Sequence, residues 1–269
     1  MNILASKLIP LDNLYAYKAH FAVYNQQDKP LDVFVRDKEE WKDWNSWRGH
    51  RDDFSRQYIF SLIQYYHQPN KWLFGGIFEV VARNKDGYEV KLINEHEEYI
   101  GRLLFHYPKP PARGRAFYLE QHFNKLEVSQ IFEKPFEGEA FCGYENIEHS
   151  FTQFEAIFKQ HKQDWKAALI NVKGVYLIVD KSNGKMYVGS AYGDAGIWSR
   201  WACYIETGHG YNDELSMIIK ENGIAYARNN FQLSILEFRS MRTDDQVVID
   251  REQYWKRVLQ TNKFGYNKN

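Results

Sequence analysis

Hydrophobic and polar positions fall into short runs over the first half of the chain. Residues 58–66, 72–82 and 88–93 are rich in β-branched and aromatic side chains and are separated by turn residues such as Lys85-Asp86-Gly87. They read as strands, and 103–107 and 116–119 add two more. The run from Lys71 to Val80 contains the pair Gly75-Gly76, a mark of a bulge or of close backbone approach. Many short strands separated by turns predict a small barrel or sandwich. Trp41, Trp44 and Trp47 recur every third residue in a polar context, near Arg48, Arg51 and Arg56.

The period changes at Ser150. Phe151, Phe154, Ile157, Phe158 and Trp165 follow at helical spacing, and Ser150 with Gln153 forms a capping box. This helix links the two halves, which places the domain boundary at 165–172. Beyond it, 175–179 and 185–190 read as strands around Asp180-Lys181-Ser182-Asn183-Gly184. Asn-Gly suits a two-residue type I′ turn, whose central positions need positive φ. That turn sets Tyr187 opposite Asp180, and Tyr176 shares the parity of Asp180. Both tyrosines then lie on one face of the sheet unless a bulge intervenes. Helices over 197–206 and 211–222 follow, then a strand over 231–238 and a helix from Asp244 or Asp245 to Leu259. The whole predicts an α+β fold, with a strand-rich, barrel-like domain over 1–165 and a second domain over 166–269.

The last helix contains a misfit. Val248, Trp255 and Leu259 form its apolar stripe, and Glu252 falls inside it. A carboxylate on a buried face is costly unless it is paired or bound to a cation. Glu252 is therefore either salt-bridged, for instance to Arg200, or a ligand for a hard divalent ion such as Mg²⁺. Arg200 and Tyr204, four residues apart, project together from their own helix.

Composition alters this picture only locally. The net charge is zero, unlike that of a strongly basic nucleic-acid binder. From Lys166 onward, however, 14 basic residues face 11 acidic ones. Residues 100–119 contain no acidic side chain but carry Arg102, Lys109, Arg113 and Arg115 together with Pro108, Pro110 and Pro111. The stretch is either a solvated extended loop or a phosphate-contacting one. Aromatics make up 17% of the chain, which implies large cores and leaves some rings free to stack on bases. Two cysteines exclude a disulfide framework and a Cys-rich zinc site. With no signal-peptide pattern and no apolar run of spanning length, a reduced cytoplasmic setting is expected.

Gly174-Val175-Tyr176, Tyr187-Val188-Gly189-Ser190, Arg200-Trp201, Asn212 with Leu215, residues 231–237, Glu252-Gln253-Tyr254-Trp255 and Gly265-Tyr266-Asn267 occur in order along the last third of the chain. Together they resemble the GIY-YIG nuclease superfamily, especially the catalytic domains of phage homing endonucleases. The resemblance implies a three-stranded antiparallel sheet flanked by helices, with Tyr176, Tyr187, Arg200, Tyr204, Glu252 and Asn267 converging on one face. It implies hydrolysis of a phosphodiester in double-stranded DNA with one divalent metal, Mg²⁺ or Mn²⁺, held by Glu252. The chemistry asks for the same residue types. Arg200 offers a planar fork of donors to a phosphate. Tyr176, with its phenolate stabilised by Arg200 or the metal, is the expected base, Tyr187 assists, and Asn267 orients Glu252, the phosphate or the local backbone. Tyr204 stands where many members have histidine, which disfavours a histidine base. His209 is expected in a loop or in contact with DNA.

The first 165 residues loosely resemble PUA-like barrels, which read unusual bases in an aromatic pocket. That resemblance implies a restriction or phage-defence endonuclease with a target-recognition domain, to which the basic residues of 100–119 contribute. A homing or repair nuclease with a general DNA-binding domain is the alternative, and a catalytically dead DNA-binding protein is the second. Cutting both strands with one site per chain calls for a homodimer or for sequential nicking.

Overall fold

Residues 2–109 and 114–268 are described by a computed structural model. The chain divides into two units, Met1–Phe136 and Glu137–Asn269. The helix that the sequence sets before the boundary thus belongs to the second unit.

The first unit contains helices α1 (Ala5–Leu8), α2 (Pro30–Arg36) and α3 (Lys38–Ser46). Its strands are β1 (Tyr17–Ala22), β2 (Tyr58–Gln64), β3 (Lys71–Arg83), β4 (Tyr88–Leu92), β5 (Leu103–His106), β6 (Ala116–Tyr118) and β7 (Glu127–Ile131). All seven join one sheet in the order β6-β1-β2-β3-β5-β7, and β4 pairs with β3 off this path. Strands β1 and β2 run parallel. The expected barrel or sandwich is therefore a single mixed sheet whose described ladder ends at β6 and β7. Register shifts at Ser61/Leu62, Val80/Ala82 and Leu104/Phe105 bend the strands locally.

Helix α3 forms where the tryptophans recur in threes. Asp37 caps it by accepting from the backbone N–H groups of Glu39 and Glu40. One turn of its spacing carries Trp41 into the core, where Nε1 donates to the Gly75 carbonyl at 2.9 Å. A Cβ on Gly75 would sit 2.6 Å from the Trp41 ring, so the glycine pair marks the close approach that the sequence suggested.

The second unit runs through β8 (Glu148–Ser150), α4 (Phe151–Lys159), α5 (Gln163–Ile170), β9 (Val172–Asp180), β10 (Met186–Ala191), α6 (Gly196–Thr207), α7 (Asp213–Asn222), α8 (Ile224–Asn230), β11 (Phe231–Ser240), α9 (Asp245–Val258) and α10 (Thr261–Phe264). Its antiparallel sheet has the order β10-β9-β11-β8. The expected three strands thus gain a short fourth, which leads straight into the Ser150–Gln153 capping box of α4. Alternation along the strands separates two faces. Tyr176, Ile178, Tyr187 and Leu233 pack with Phe154, Trp165, Trp201 and Tyr204. Val175 and Val188 turn the other way, onto Val248 of α9.

The β9–β10 register differs from the expected one. Tyr187 lies opposite Ile178, not Asp180, because the loop spans four residues. Asp180 is fully buried and holds that loop. It accepts from the Ser182 backbone and hydroxyl, Asn183, Tyr226 and Tyr266. A slip of two residues preserves parity, so Tyr176 and Tyr187 still share a face. Among the described residues, no helix is long and apolar enough to cross a membrane.

Candidate active site

Strand β10 lies at the edge of its sheet, which lets side chains from both faces meet around it. From the α6 face come Tyr187 and Arg200. From the α9 face come Glu252 and, at the parity of Val188, Ser190. They line a cavity of about 480 Å³ together with Tyr192, Ser199 and Cys203.

Behind this cavity stand two buried tyrosines, Tyr176 and Tyr204, which hold the half-buried Arg200. Arg200 Nε donates to Tyr176 Oη at 3.0 Å, and Nη2 donates to Tyr204 Oη at 3.2 Å. The two hydroxyls are 3.2 Å apart. Two of the guanidinium's five N–H donors are thereby used, and Arg200 reaches the cavity with its orientation set. Burial works against its charge, but the tyrosine oxygens around it outweigh that effect and raise its pKa, so it stays protonated. Burial, reinforced by Tyr187, pushes Tyr176 well above the usual tyrosine value despite the bonds from Arg200 and Tyr204. Tyr204 is raised too, first by burial and then by the neighbouring tyrosines.

This geometry changes the roles expected of the tyrosines. Tyr176 is fully buried, does not line the cavity and holds its proton more tightly than a free tyrosine. It is placed to aim Arg200, whereas Tyr187 opens onto the cavity. Tyr176 fits because β10 carries glycine directly opposite it: a Cβ at Gly189 would lie 2.4 Å from Tyr176 Oη.

Glu252 is paired, although not with Arg200. Its Oε1 lies 2.7 Å from Lys256 Nζ one helical turn on, and its Oε2 accepts from the Ser190 hydroxyl. Among the described residues no three His, Cys, Asp or Glu side chains gather to hold a metal. A single carboxylate beside a hydroxyl nevertheless fits Mg²⁺, which keeps several waters and takes one or two carboxylates plus substrate phosphate.

Asn267 does not join the cavity lining. Its Oδ1 accepts from Val188 N–H at 2.9 Å and its Nδ2 donates to the Val188 carbonyl at 2.8 Å. Of the three roles expected for it, only that of holding local backbone matches these bonds. His209 lies in the loop after α6, where Nδ1 meets the Tyr211 backbone N–H and the Ser216 hydroxyl. In the first unit, Arg102 bonds the carbonyls of Phe132 and Glu98, and Lys109 that of Gly114. Arg115 pairs with Asp53 and donates to the Trp47 carbonyl. These three are engaged locally, and Arg113 lies outside the described residues. Ser190 and Lys256 were missed as site residues. Parity with Val188 was the available signal for the first and i,i+4 spacing from Glu252 for the second.

No family model matches the chain. Intron-associated endonuclease 1 of Enterobacteria phage T4 is 32% identical over 94 residues, which make up 35% of this chain and 36% of that protein. The chain thus spans about a third of the length of that curated relative. The catalytic domain of intron endonuclease I-TevI, solved as a mutant, is 28% identical, with 36% of this chain and 94% of that chain covered and a TM-score of 0.29. A second structure of the I-TevI catalytic domain is 32% identical, with 35% and 96% covered and a TM-score of 0.28. At such TM-scores the likeness rests on sequence.

Proposed function

We propose that residues 174–269 form a GIY-YIG-type endonuclease domain that hydrolyses phosphodiester bonds in DNA. The observation that carries this reading is the meeting of Tyr187, Ser190, Arg200 and Glu252 in one cavity. The 94-residue similarity to a phage intron endonuclease, close in length to this segment, supports it.

The chain's own residues divide the work. Arg200, locked by Tyr176 and Tyr204, offers its remaining donors to a phosphate oxygen and stabilises charge that develops on it. Tyr187 positions the attacking water at the cavity wall. Glu252 and Ser190 would hold a divalent cation, Mg²⁺ or Mn²⁺. When bound, that ion supplies polarisation of the phosphate and stabilisation of the leaving oxygen. Lys256 neutralises Glu252 in the absence of the ion.

The relative's description as intron-associated favours a homing-type role over the restriction or phage-defence role expected from the first domain. In either role the first unit supplies grip or choice of target. Incubating the full chain with plasmid DNA, with Mg²⁺ and then with EDTA, tests the reading. Nicked or linear product should form only with the metal. Glu252→Ala should bind DNA without cutting it, and unchanged cutting by that variant would refute the site.

A further inference from the structure

Helix α9 carries two apolar stripes. Val248, Trp255 and Leu259 pack with Val175 and Val188 of the sheet. Val247, Tyr254 and Val258 repeat the same spacing one residue earlier, yet they are 44%, 39% and 52% exposed. Single apolar side chains on a surface are ordinary, whereas a contiguous strip marks a docking face. At about 100° per residue, the three lie within about 20° of one line along the helix. None of them belongs to the proposed nuclease site.

The charges beside the strip say what covers it. On one flank stand Asp250 and Arg257, both exposed. Asp250 accepts from Gln246 Nε2 at 2.8 Å, and the Arg257 side chain has no partner among the described residues. On the other flank Arg251 lies 4.0 Å from the Tyr254 ring centroid and is neutralised by Glu237. The free charges are therefore one acid in the N-terminal half and one base near the C-terminal end.

Such a face complements itself. Across a twofold axis, residue i of one copy meets residue j of the other and j meets i. Setting Val247 against Val258 of a second copy, antiparallel, keeps the two charged flanks on the same side of the seam. Asp250 then falls two residues, about 3 Å along the axis, from Arg257 of the second copy. An arginine side chain spans that offset, and symmetry makes the contact twice. A parallel pair would put the two flanks on opposite sides of the seam and form neither ion pair.

We propose that two copies of this chain pair through α9, antiparallel and about a twofold axis. The proposal rests on the DNA-cutting reading made above and deepens it, because it supplies the second site that cutting both strands at once requires. Glu252 lies about 140° around the helix from Val247, and the twofold axis turns both carboxylates to one side of the pair. One face of a 14-residue helix falls short of the roughly 800 Å² that each partner buries in a stable interface, so the pair is weak in free solution. DNA that holds both copies raises their effective concentration.

The test is disulfide trapping of the full chain on linear duplex DNA in EDTA, where no cutting intrudes. Val247→Cys and Val258→Cys, both at exposed positions, are made separately and mixed. Cross-linked dimer should exceed that of the parent chain, which carries the same native Cys142 and Cys203, by on the order of tenfold or more. Each variant alone should stay at the parent level. Antiparallel pairing sets like positions about 16 Å apart along the axis, beyond the roughly 7 Å that a disulfide bridges. Adding Asp250→Arg to both variants should lower the yield about threefold or more, the scale of two exposed ion pairs. Adding Arg257→Asp as well should restore it. Equal linking by one variant alone, a yield indifferent to Asp250→Arg, or no linking in the mixture, which would leave the strip to another partner, would each overturn the proposal. A DNA-free arm at high protein concentration tests the α9 contact independently of DNA binding. Trapping is read without cleavage, so its failure is distinguishable from failure of the nuclease reading.

Discussion

Replacing Gly189 by alanine should damage the second unit more than any comparable change at a glycine in open space. The added Cβ would lie 2.4 Å from Oη, 2.5 Å from Cζ and 2.9 Å from Cε2 of Tyr176. Carbon atoms pack at about 3.5–4.0 Å, so the ring must retreat by roughly an ångström. Tyr176 is fully buried and its hydroxyl is held by Arg200 and Tyr204, so no empty space receives it. Overpacking of this kind costs about 1–3 kcal/mol. Weakening two buried hydrogen bonds adds about 0.5–1.5 kcal/mol each. The smaller entropy of the unfolded alanine chain offsets about 0.4–1 kcal/mol. A net loss of about 2–4 kcal/mol follows. In urea, at a slope of roughly 1–3 kcal/mol per molar, the midpoint of the second unit should fall by on the order of 1–2 M. Gly193→Ala is the control. Its Cβ would meet nothing within 4 Å and no left-handed φ is required there, so its stability should stay within about 0.5 kcal/mol of the parent. Adding Tyr176→Phe to Gly189→Ala removes the nearest atom but leaves Cζ in place, so it should not restore stability. Equal urea midpoints for Gly189→Ala and Gly193→Ala would refute the reasoning.

Three further outcomes are expected. Arg200→Lys keeps the charge but loses the fork that bonds Tyr176 and Tyr204 together; plasmid cleavage should fall at least about tenfold while circular dichroism shows a folded chain. Asp180, opposed by burial but held below the usual carboxylate value by bonds from Ser182, Tyr266 and Tyr226, stabilises the fold above its unfolded pKa of about 3.9. That contribution is lost as pH falls through the folded value, so Asp180→Asn should flatten the acid limb of stability against pH. His20 has the opposite sign: with a folded pKa of about 3, below the unfolded value of about 6.5, the unfolded chain binds the proton first and stability drops as pH falls from about 6.5 towards 3. His20→Phe should remove that slope, and an unchanged slope in hydrogen exchange of the first unit would argue against it.

The second unit was largely legible because its signals are local. Asn183-Gly184, the capping box at Ser150 and the stripe of Val248, Trp255 and Leu259 each mark an element from neighbouring residues. The two-residue turn failed because Tyr226 and Tyr266, distant in sequence, bring donors to Asp180 and stabilise a longer loop. The shared face of Tyr176 and Tyr187 survived only because the slip was even. Glu252 was recognisable as a misfit from its place in the apolar stripe, but its partner could not be chosen between a distant Arg200 and a neighbouring Lys256 without the packing of α9. The first unit was less legible. Trp41 faces inward from helix α3 and Trp47, just past its end, faces outward, so the tryptophans form no single apolar stripe. The one local mark of this helix, Asp37 followed by Glu39 and Glu40, a cap with acidic residues in the first turn, was passed over in the sequence. The parallel pairing of β1 with β2 joins segments some 40 residues apart and leaves no mark in either strand.

The amide of Asn267 has a meaning for solubility. Strand β10 has a neighbour on one side only, and its outward-facing backbone groups are a template on which a second copy could add a strand. Asn267 satisfies both polar groups of Val188, and the Tyr266 N–H takes the Met186 carbonyl. A side chain thus stands in for a missing strand. Asn267→Leu, apolar and similar in size, would leave that template bare, and the damage would emerge as concentration-dependent polymerisation before it emerged as unfolding.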